Sequence, residues 1–325
     1  MPPLAPDQPA VTAIACEGLT KRFGSVLALD HLDLRVPEGI VFGFLGPNGA
    51  GKTTALRLLT GLAHPTAGQA KIAGIPTVHG EPNRRGLIGY LDQDPRFPTW
   101  MTGRELLEVV GRLYGMRDAE LRQRVDETLE LVGLSDAARR RIGGYSGGMR
   151  QRLGLGQAVL NRPPVLLLDE PVSALDPEGR HDVLTTIRQL AGGSTVLFST
   201  HILADAERIC DRVAILDHGR LLTDAPVGEL LERYAQPVYR IEPDARHLDQ
   251  LPSLAEALRD VPGVTEVLDA FGELRVLTDD PAQAGPALLA ALAARRIGLV
   301  AFERLRPNLE DVFLRLTGRD AERAA

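Results

Sequence analysis

The sequence has 325 residues, 44% hydrophobic and 25% charged, which is ordinary globular composition with room for one large or two modest domains and a substantial core. Its formal net charge of −6 argues against a general affinity for nucleic acid. Cys16 and Cys210, its two cysteines, lack the spacing of a zinc site or a disulfide framework and fit a reducing cytosol. No run approaches the ~18 to 20 apolar residues that cross a bilayer, and Met1-Pro2-Pro3-Leu4-Ala5-Pro6 lacks the basic and apolar regions of a secretion signal, so work at a membrane needs a partner that supplies the membrane part.

In chain order, residues 1–11 read as a disordered tail. Apolar alternation from Ala13 to Leu34, broken by Gly24-Ser25, predicts a small antiparallel β-layer. The run Ile40-Val41-Phe42-Gly43-Phe44-Leu45 predicts a buried strand. It leads into Gly46-Pro47-Asn48-Gly49-Ala50-Gly51-Lys52-Thr53 and a helix from Lys52 to Leu62, closed by Gly61 and Pro65. Between Gln93 and the strand before Asp169, residues 94–160 read as a helical subdomain inserted into a sheet. Thr102-Gly103-Arg104-Glu105 fits a capping box there, and Leu121, Val125, Leu129 and Val132 share one face of a second helix that stops at Gly133. Arg139-Arg140-Arg141 reads as a solvated loop before a functional helix. Strands at Val165–Leu168, Thr195–Phe198 and Val213–Leu216, separated by helices, predict a mostly parallel α/β sheet, so the first domain is placed at 12–232.

Composition shifts at Ala235-Gln236-Pro237, and a second domain is placed at 236–318. Its expected elements are a strand (Val238–Ile241), a helix (Leu254–Arg259), two strands (Val264–Leu268 and Glu273–Val276) joined by a turn at 269–272, a helix (Pro286–Arg295), a strand (Leu299–Leu305) and a closing helix (Leu309–Leu316). That βαββαβ order predicts a small ferredoxin-like α+β domain, with residues 319–325 as a tail.

Four segments carry chemistry, and a fifth around Gln93 joins them. The first matches G-x-x-x-x-G-K-[ST]: Gly46, Gly49 and Gly51 let the loop of Pro47, Asn48 and Ala50 turn its N–H groups toward phosphate. Lys52 reaches the β/γ oxygens of ATP, Thr53 ligates Mg²⁺, and Thr54 helps with the α-phosphate. In Leu166-Leu167-Leu168-Asp169-Glu170-Pro171, Asp169 is placed to hold Mg²⁺ through water and Glu170 to accept a proton from attacking water. His201, after Ser199-Thr200, is placed to sense the γ-phosphate. Gln93, in Gly89-Tyr90-Leu91-Asp92-Gln93-Asp94, can orient water or complete the Mg²⁺ shell. Ser146-Gly147-Gly148, with Ser146 as N-cap, starts a helix whose free N–H groups make an anion site.

In this order the segments resemble the ATP-binding subunit of an ABC transporter over about residues 13–230, a P-loop NTPase core with a helical subdomain. The resemblance implies a head-to-tail dimer of two copies, or of one copy and a paralogue. Lys52, Thr53, Gln93, Asp169, Glu170 and His201 then form one half-site, while Tyr145, Ser146, Gly147, Gly148 and Met149 serve the partner's ATP, and Asp176 lies at the seam. It also implies that Phe23 stacks on adenine, where the family usually has Tyr. The family's signature is usually Leu-Ser-Gly-Gly-Gln. Tyr145 and Met149 flank it here, and with Arg306-Pro307-Asn308-Leu309-Glu310-Asp311-Val312-Phe313 they resemble bacterial multidrug and antibiotic exporter ATPases. The implied partner is a separate membrane permease docked on the helical subdomain, which places the chain on the cytoplasmic face of the membrane, with no nucleic acid. A soluble single-cassette ATPase acting on ribosomes or DNA is the alternative. Ribosome-associated members usually carry two cassettes and repair relatives a long coiled coil, and neither is present. A non-catalytic scaffold is disfavoured by Lys52, Glu170 and His201.

Overall fold

The computed structural model describes residues 11–77, 86–234, 237–270, 272–305 and 308–317. The expected tail at 1–11 except Val11, the tail at 319–325, Phe271 of the expected turn, and Arg306 and Pro307 of the closing segment lie outside them. The described residues up to Val227 form one compact unit and those from Gly228 a second, a few residues before the composition shift at Ala235.

In the first unit, β1 (Thr12–Phe23) and β2 (Val26–Pro37) form an antiparallel hairpin across Gly24-Ser25. Their alternating Ile14, Cys16, Leu32, Leu34 and Val36 are buried. Next come β3 (Val41–Leu45), the glycine loop, α1 (Lys52–Thr60) ended by left-handed Gly61, and β4 (Ala67–Ile72) with β5 (Ile75–Pro76), which complete a layer in the order β2-β1-β4-β5. After β6 (Ile88–Leu91) three helices follow: α2 (Gly103–Leu113), α3 (Asp118–Leu131) and α4 (Gly147–Val159). The remainder is β7 (Val165–Asp169), α5 (Pro177–Leu190), β8 (Thr195–Thr200), α6 (Leu203–Ile209), β9 (Arg212–Asp217) and β10 (Arg220–Pro226).

The second sheet has the order β10-β9-β3-β8-β7-β6, parallel throughout except β10. Every residue of β3, β7 and β8 is buried, which is why they read as continuous apolar runs instead of alternating ones. One core joins the layers: Ile14, Leu19 and Leu32 from the antiparallel layer, Leu56 and Leu59 from α1, and Phe42, Phe44, Leu167 and Leu197 from the parallel sheet. The expected β-layer, P-loop helix and parallel sheet are all present. The strands β4, β5, β6 and β10 go beyond the elements read from sequence, while α5 and α6 are the helices expected between the parallel strands.

Thr102 closes the expected capping box: its hydroxyl accepts from Glu105 N, and the Glu105 carboxylate accepts from Thr102 N. Arg124 of α3 donates to the Val159 and Leu160 carbonyls at 2.8 and 2.6 Å, satisfying orphan acceptors at the end of α4. The other face of α4 packs on β6.

The second unit begins with α7 (Val227–Tyr234) and continues as β11 (Val238–Pro243), α8 (Leu251–Arg259), β12 (Val264–Ala270), β13 (Glu273–Thr278), α9 (Pro281–Ala294), β14 (Leu299–Leu305) and α10 (Leu309–Thr317). The antiparallel order β12-β13-β11-β14 is that of a ferredoxin-like βαββαβ sandwich, as expected. The expected helix start at Pro286 is corrected: α9 begins at Pro281, because the Asp280 carboxylate caps Ala282 N and Gln283 N, and Pro286 lies inside the helix.

The α4–β6 contact leaves no room at Gly89, where a Cβ would lie 2.1 Å from the Ala158 carbonyl oxygen and 2.7 Å from Leu166 Cδ2. Gly89→Ala should lower stability by about 1–3 kcal/mol, the usual cost of overpacking. Denaturant unfolding measures it, and an unchanged midpoint would contradict this packing.

Candidate nucleotide-binding site

Four adjacent parallel strands end at one edge of the sheet. Leu45 pairs with Thr200, Asp169 with Ser199, and Leu91 with Leu168, so the residues that follow (the loop from Gly46, His201, Glu170 and Gln93) emerge side by side. The carboxyl end of such a sheet is where open α/β folds bind ligands.

The glycine loop is shaped by two contacts that admit no side chain. Gly46 has φ 153°, and a Cβ there would sit 2.4 Å from the Leu216 carbonyl oxygen. Gly51 has φ 105°, and a Cβ there would sit 2.5 Å from the Ala28 carbonyl oxygen. Gly51 is also the N-cap of α1 and makes no side-chain cap bond, so the first N–H groups of α1 are left for a ligand. Lys52 is buried; its Nζ donates to the Gly46 carbonyl at 2.7 Å and the Pro47 carbonyl at 3.2 Å, and lies 3.6 Å from Glu170 Oε1. Burial pushes its ammonium below the ordinary lysine range, with the Glu170 and Asp169 carboxylates opposing that shift.

Asp169 is fully buried, and burial raises its carboxyl above the usual range while the Ser199 and Thr53 hydroxyls pull it back. Its Oδ1 accepts from Ser199 Oγ at 2.6 Å, whereas its buried Oδ2 has no hydrogen-bond partner among the described residues. A buried carboxylate oxygen left open beside a threonine hydroxyl is a fitting pair for a hard divalent cation. Glu170 sits at φ 47°, a left-handed conformation that costs a non-glycine residue on the order of 1–3 kcal/mol. Its backbone is held on both sides: Glu170 N donates to Ser199 Oγ at 3.0 Å, and its carbonyl accepts from Ser173 Oγ at 3.1 Å and Gln151 Nε2 at 3.4 Å. His201 Nδ1 lies 3.0 Å from both Glu170 carboxylate oxygens, a contact that requires the ring proton on Nδ1.

The structure thus brings Lys52, Asp169, Glu170 and His201 together, with the Thr53 side chain beside Asp169 and Thr54 in the first turn of α1. Gln93 is exposed beyond β6, next to the strand that ends in Asp169. Phe23 ends β1 with half its surface exposed, and the Lys21 ammonium, anchored on the His64 carbonyl, covers one ring face at 4.8 Å.

Ser146 caps α4 by accepting from Met149 N at 3.2 Å, and Ser146 and Gly147 are exposed while Gly148 and Met149 are half-buried. Tyr145 turns inward: it is buried, and its hydroxyl donates to the Ala137 carbonyl at 2.8 Å. Its backbone is engaged as well, the N–H donating to the Ile142 carbonyl at 2.9 Å and the carbonyl accepting from Arg150 Nη1 at 2.8 Å. Asp176 spends one carboxylate oxygen capping α5 at Gly179 N, at 3.0 Å. In the sequence, Ser199 reads only as part of the segment that leads to His201, with no role of its own, and Gln151 is not read at all. The available signal was a polar residue in an otherwise apolar buried stretch, which must find hydrogen bonds inside.

Comparison with known proteins matches residues 29–173 to the ABC transporter family model. Residues 226–317 match the C-terminal domain of DrrA1-3-like ATP-binding proteins. The daunorubicin resistance ATP-binding protein DrrA3 of Streptomyces coeruleorubidus is 40% identical over 96% of this chain and 98% of its own length. The chain belongs to the ATP-binding proteins of ABC transporters. The Nod factor export ATP-binding protein I of a Rhizobium species is 38% identical, over 96% of this chain and 99% of its own length. Among solved structures, a dimeric ATP-binding cassette in a post-hydrolysis state with ADP and Pi superposes with a TM-score of 0.60 at 28% identity, covering 66% of this chain and 98% of its own. The ABC protein described here is an ATP-binding, ATP-hydrolysing protein of the exporter-type branch. Among its described residues no helix is long and apolar enough to cross a membrane.

Because Tyr145 faces inward, Tyr145→Phe should cost about 1 kcal/mol of stability through the lost hydroxyl bond and leave ATPase activity within about twofold of wild type. Thermal melting and steady-state assays check both; a large activity loss without destabilisation would place the hydroxyl at the ligand instead.

Proposed function

We propose that this ABC protein energises export through a separate membrane permease, working on the cytoplasmic face of the membrane as a head-to-tail dimer of two copies or of one copy and a paralogue. The observation that carries the reading is that one chain has two helix starts with open N–H groups, at α1 and at α4. The Lys52, Asp169, Glu170 and His201 cluster lies at the strand ends, while the exposed Ser146–Gly148 helix start turns its N–H groups outward with no acidic residue in its first turn. A partner's ATP is the natural occupant of the second, and the dimeric cassette among the solved relatives is consistent with that.

In this reading the N–H groups of the 46–53 loop and α1 hold the phosphates, Lys52 turns from its carbonyls to the β/γ oxygens, and Phe23 offers its open face to adenine. Thr53, Asp169 and Gln93 would hold Mg²⁺, which neutralises charge on the β- and γ-phosphates. Glu170 takes the proton of the attacking water, and His201 orients Glu170 and meets the γ-phosphate. Thr54 assists at the α-phosphate, Asp176 lies near the seam, and the backbone at Tyr145 and Met149 frames the signature turn.

Exposed apolar side chains in and just before α2 support a permease contact. Trp100 is 71% exposed and Leu113 82%, with Val109 and Tyr114 nearby in sequence. The export role for which the Rhizobium relative is named and the DrrA-like C-terminal domain favour export over action on ribosomes or DNA. Affinity purification from detergent-solubilised membranes should recover a polytopic membrane protein; recovery of ribosomes or DNA instead would overturn the reading.

Glu170→Gln should retain ATP binding, slow hydrolysis by about 10²–10⁴-fold, and give an ATP-dependent dimer on size exclusion. A fully active variant would remove Glu170 from the mechanism. Lys52→Ala should weaken nucleotide binding, and undiminished ATPase activity would remove the loop assignment.

A further inference from the structure

The parallel strand β8 places a hydroxyl, Ser199, opposite Asp169 in register. That hydroxyl is fully buried and has two partners with fixed roles. The Glu170 backbone N–H can only donate, so it donates to Ser199 Oγ at 3.0 Å, and the single hydroxyl proton then goes to Asp169 Oδ1 at 2.6 Å. The chain of donation runs in one direction, from Glu170 N–H through Ser199 to Asp169.

We propose that Ser199 is a positioning residue for the metal–nucleotide complex. It turns Asp169 so that Oδ1 is occupied and Oδ2 alone is presented, and through the same oxygen it holds the left-handed Glu170 backbone. The inference deepens the proposed ATPase reading and rests on it. Three observations converge. The unsatisfied oxygen of Asp169 is the one Ser199 does not touch. The residue with strained φ is the one whose amide Ser199 accepts. His201, two residues further along the chain, holds the Glu170 carboxylate at 3.0 Å, so one short stretch of chain orients both acids, one through its backbone and carboxyl and the other through its carboxylate. A group that orients a metal-holding carboxylate acts through metal affinity, and loss of such groups commonly costs 10–100-fold in affinity or activity.

The test uses the purified full-length chain. Mg²⁺ is titrated against the binding of a fluorescent ATP analogue, with hydrolysis followed separately. Ser199→Ala should raise the Mg²⁺ half-saturation about 10-fold or more while binding of the analogue in EDTA stays within about twofold. Ser199→Cys, which nearly keeps the volume but is a weak donor, should shift in the same direction and carries the test if the alanine variant fails to fold. Ser199→Thr, which keeps the hydroxyl, should restore Mg²⁺ half-saturation toward wild type. Asp169→Asn is the reference for the underlying reading. If it shifts the Mg²⁺ dependence and neither Ser199→Ala nor Ser199→Cys does, Ser199 has no such role. If Asp169→Asn shifts nothing, the metal assignment itself is wrong and the inference falls with it.

Discussion

A buried ammonium needs a counter-charge, and at Lys52 that requirement organises the site. Nζ is shut away from water, coordinated by the Gly46 and Pro47 carbonyls, and its nearest opposite charge is the Glu170 carboxylate at 3.6 Å. Desolvation disfavours the charge and Glu170 supports it. The carboxylate proposed as proton acceptor is therefore also the one that supports the charge on Lys52. Phosphate oxygens can take over that duty, since they are better partners for an ammonium than carbonyls are. Lys52 and Glu170 are then free for separate tasks.

That arrangement depends on strand register. Asp169 lies opposite Ser199 and Leu45 opposite Thr200, so a slip of one residue on β8 would face Ser199 away from both acids and carry His201 off the Glu170 carboxylate. Gln151 of α4 adds a link of another kind. It is buried in the second turn of the helix that Ser146 caps, and it donates to the Glu170 carbonyl. In the proposed dimer, the start of α4 is thus linked inside one chain, through Gln151, to the acid assigned to the other nucleotide. Arg180, in the first turn of α5 after Asp176, makes a similar connection: its guanidinium grips Asp205 just beyond His201 at 2.6 to 3.0 Å.

Much of this was legible in the sequence wherever the signal was local. The glycine loop, the capping box at Thr102, the apolar runs of β3, β7 and β8, and the βαββαβ order of the second unit each lie within a short window and obey one period. What escaped depends on distant neighbours. Ser199 looks like an unremarkable end to an apolar strand until Asp169 is seen beside it, thirty residues away in the chain. Tyr145 belongs to a motif by spacing, yet its ring is drawn inward by the Ala137 carbonyl. Pro286 reads as a helix start, because proline favours first turns, but Asp280 supplies a stronger cap upstream. The short strands β4 and β5 carry little apolar alternation of their own and exist because β1 offers an edge to β4 and β4 in turn to β5.

The central claim is that one chain holds two halves of different sites. Mixing two inactive variants tests it most directly. Lys52→Ala disables the phosphate loop. Gly147→Asp adds a negative charge at the start of α4, where a Cβ meets nothing closer than 3.9 Å and folding should survive. Each alone should be inactive, and an equimolar mixture should recover about a quarter of wild-type ATPase activity, since half of the dimers are mixed and each holds one intact site of two. A mixture no more active than either variant, under conditions where the wild type hydrolyses ATP, would contradict the shared site.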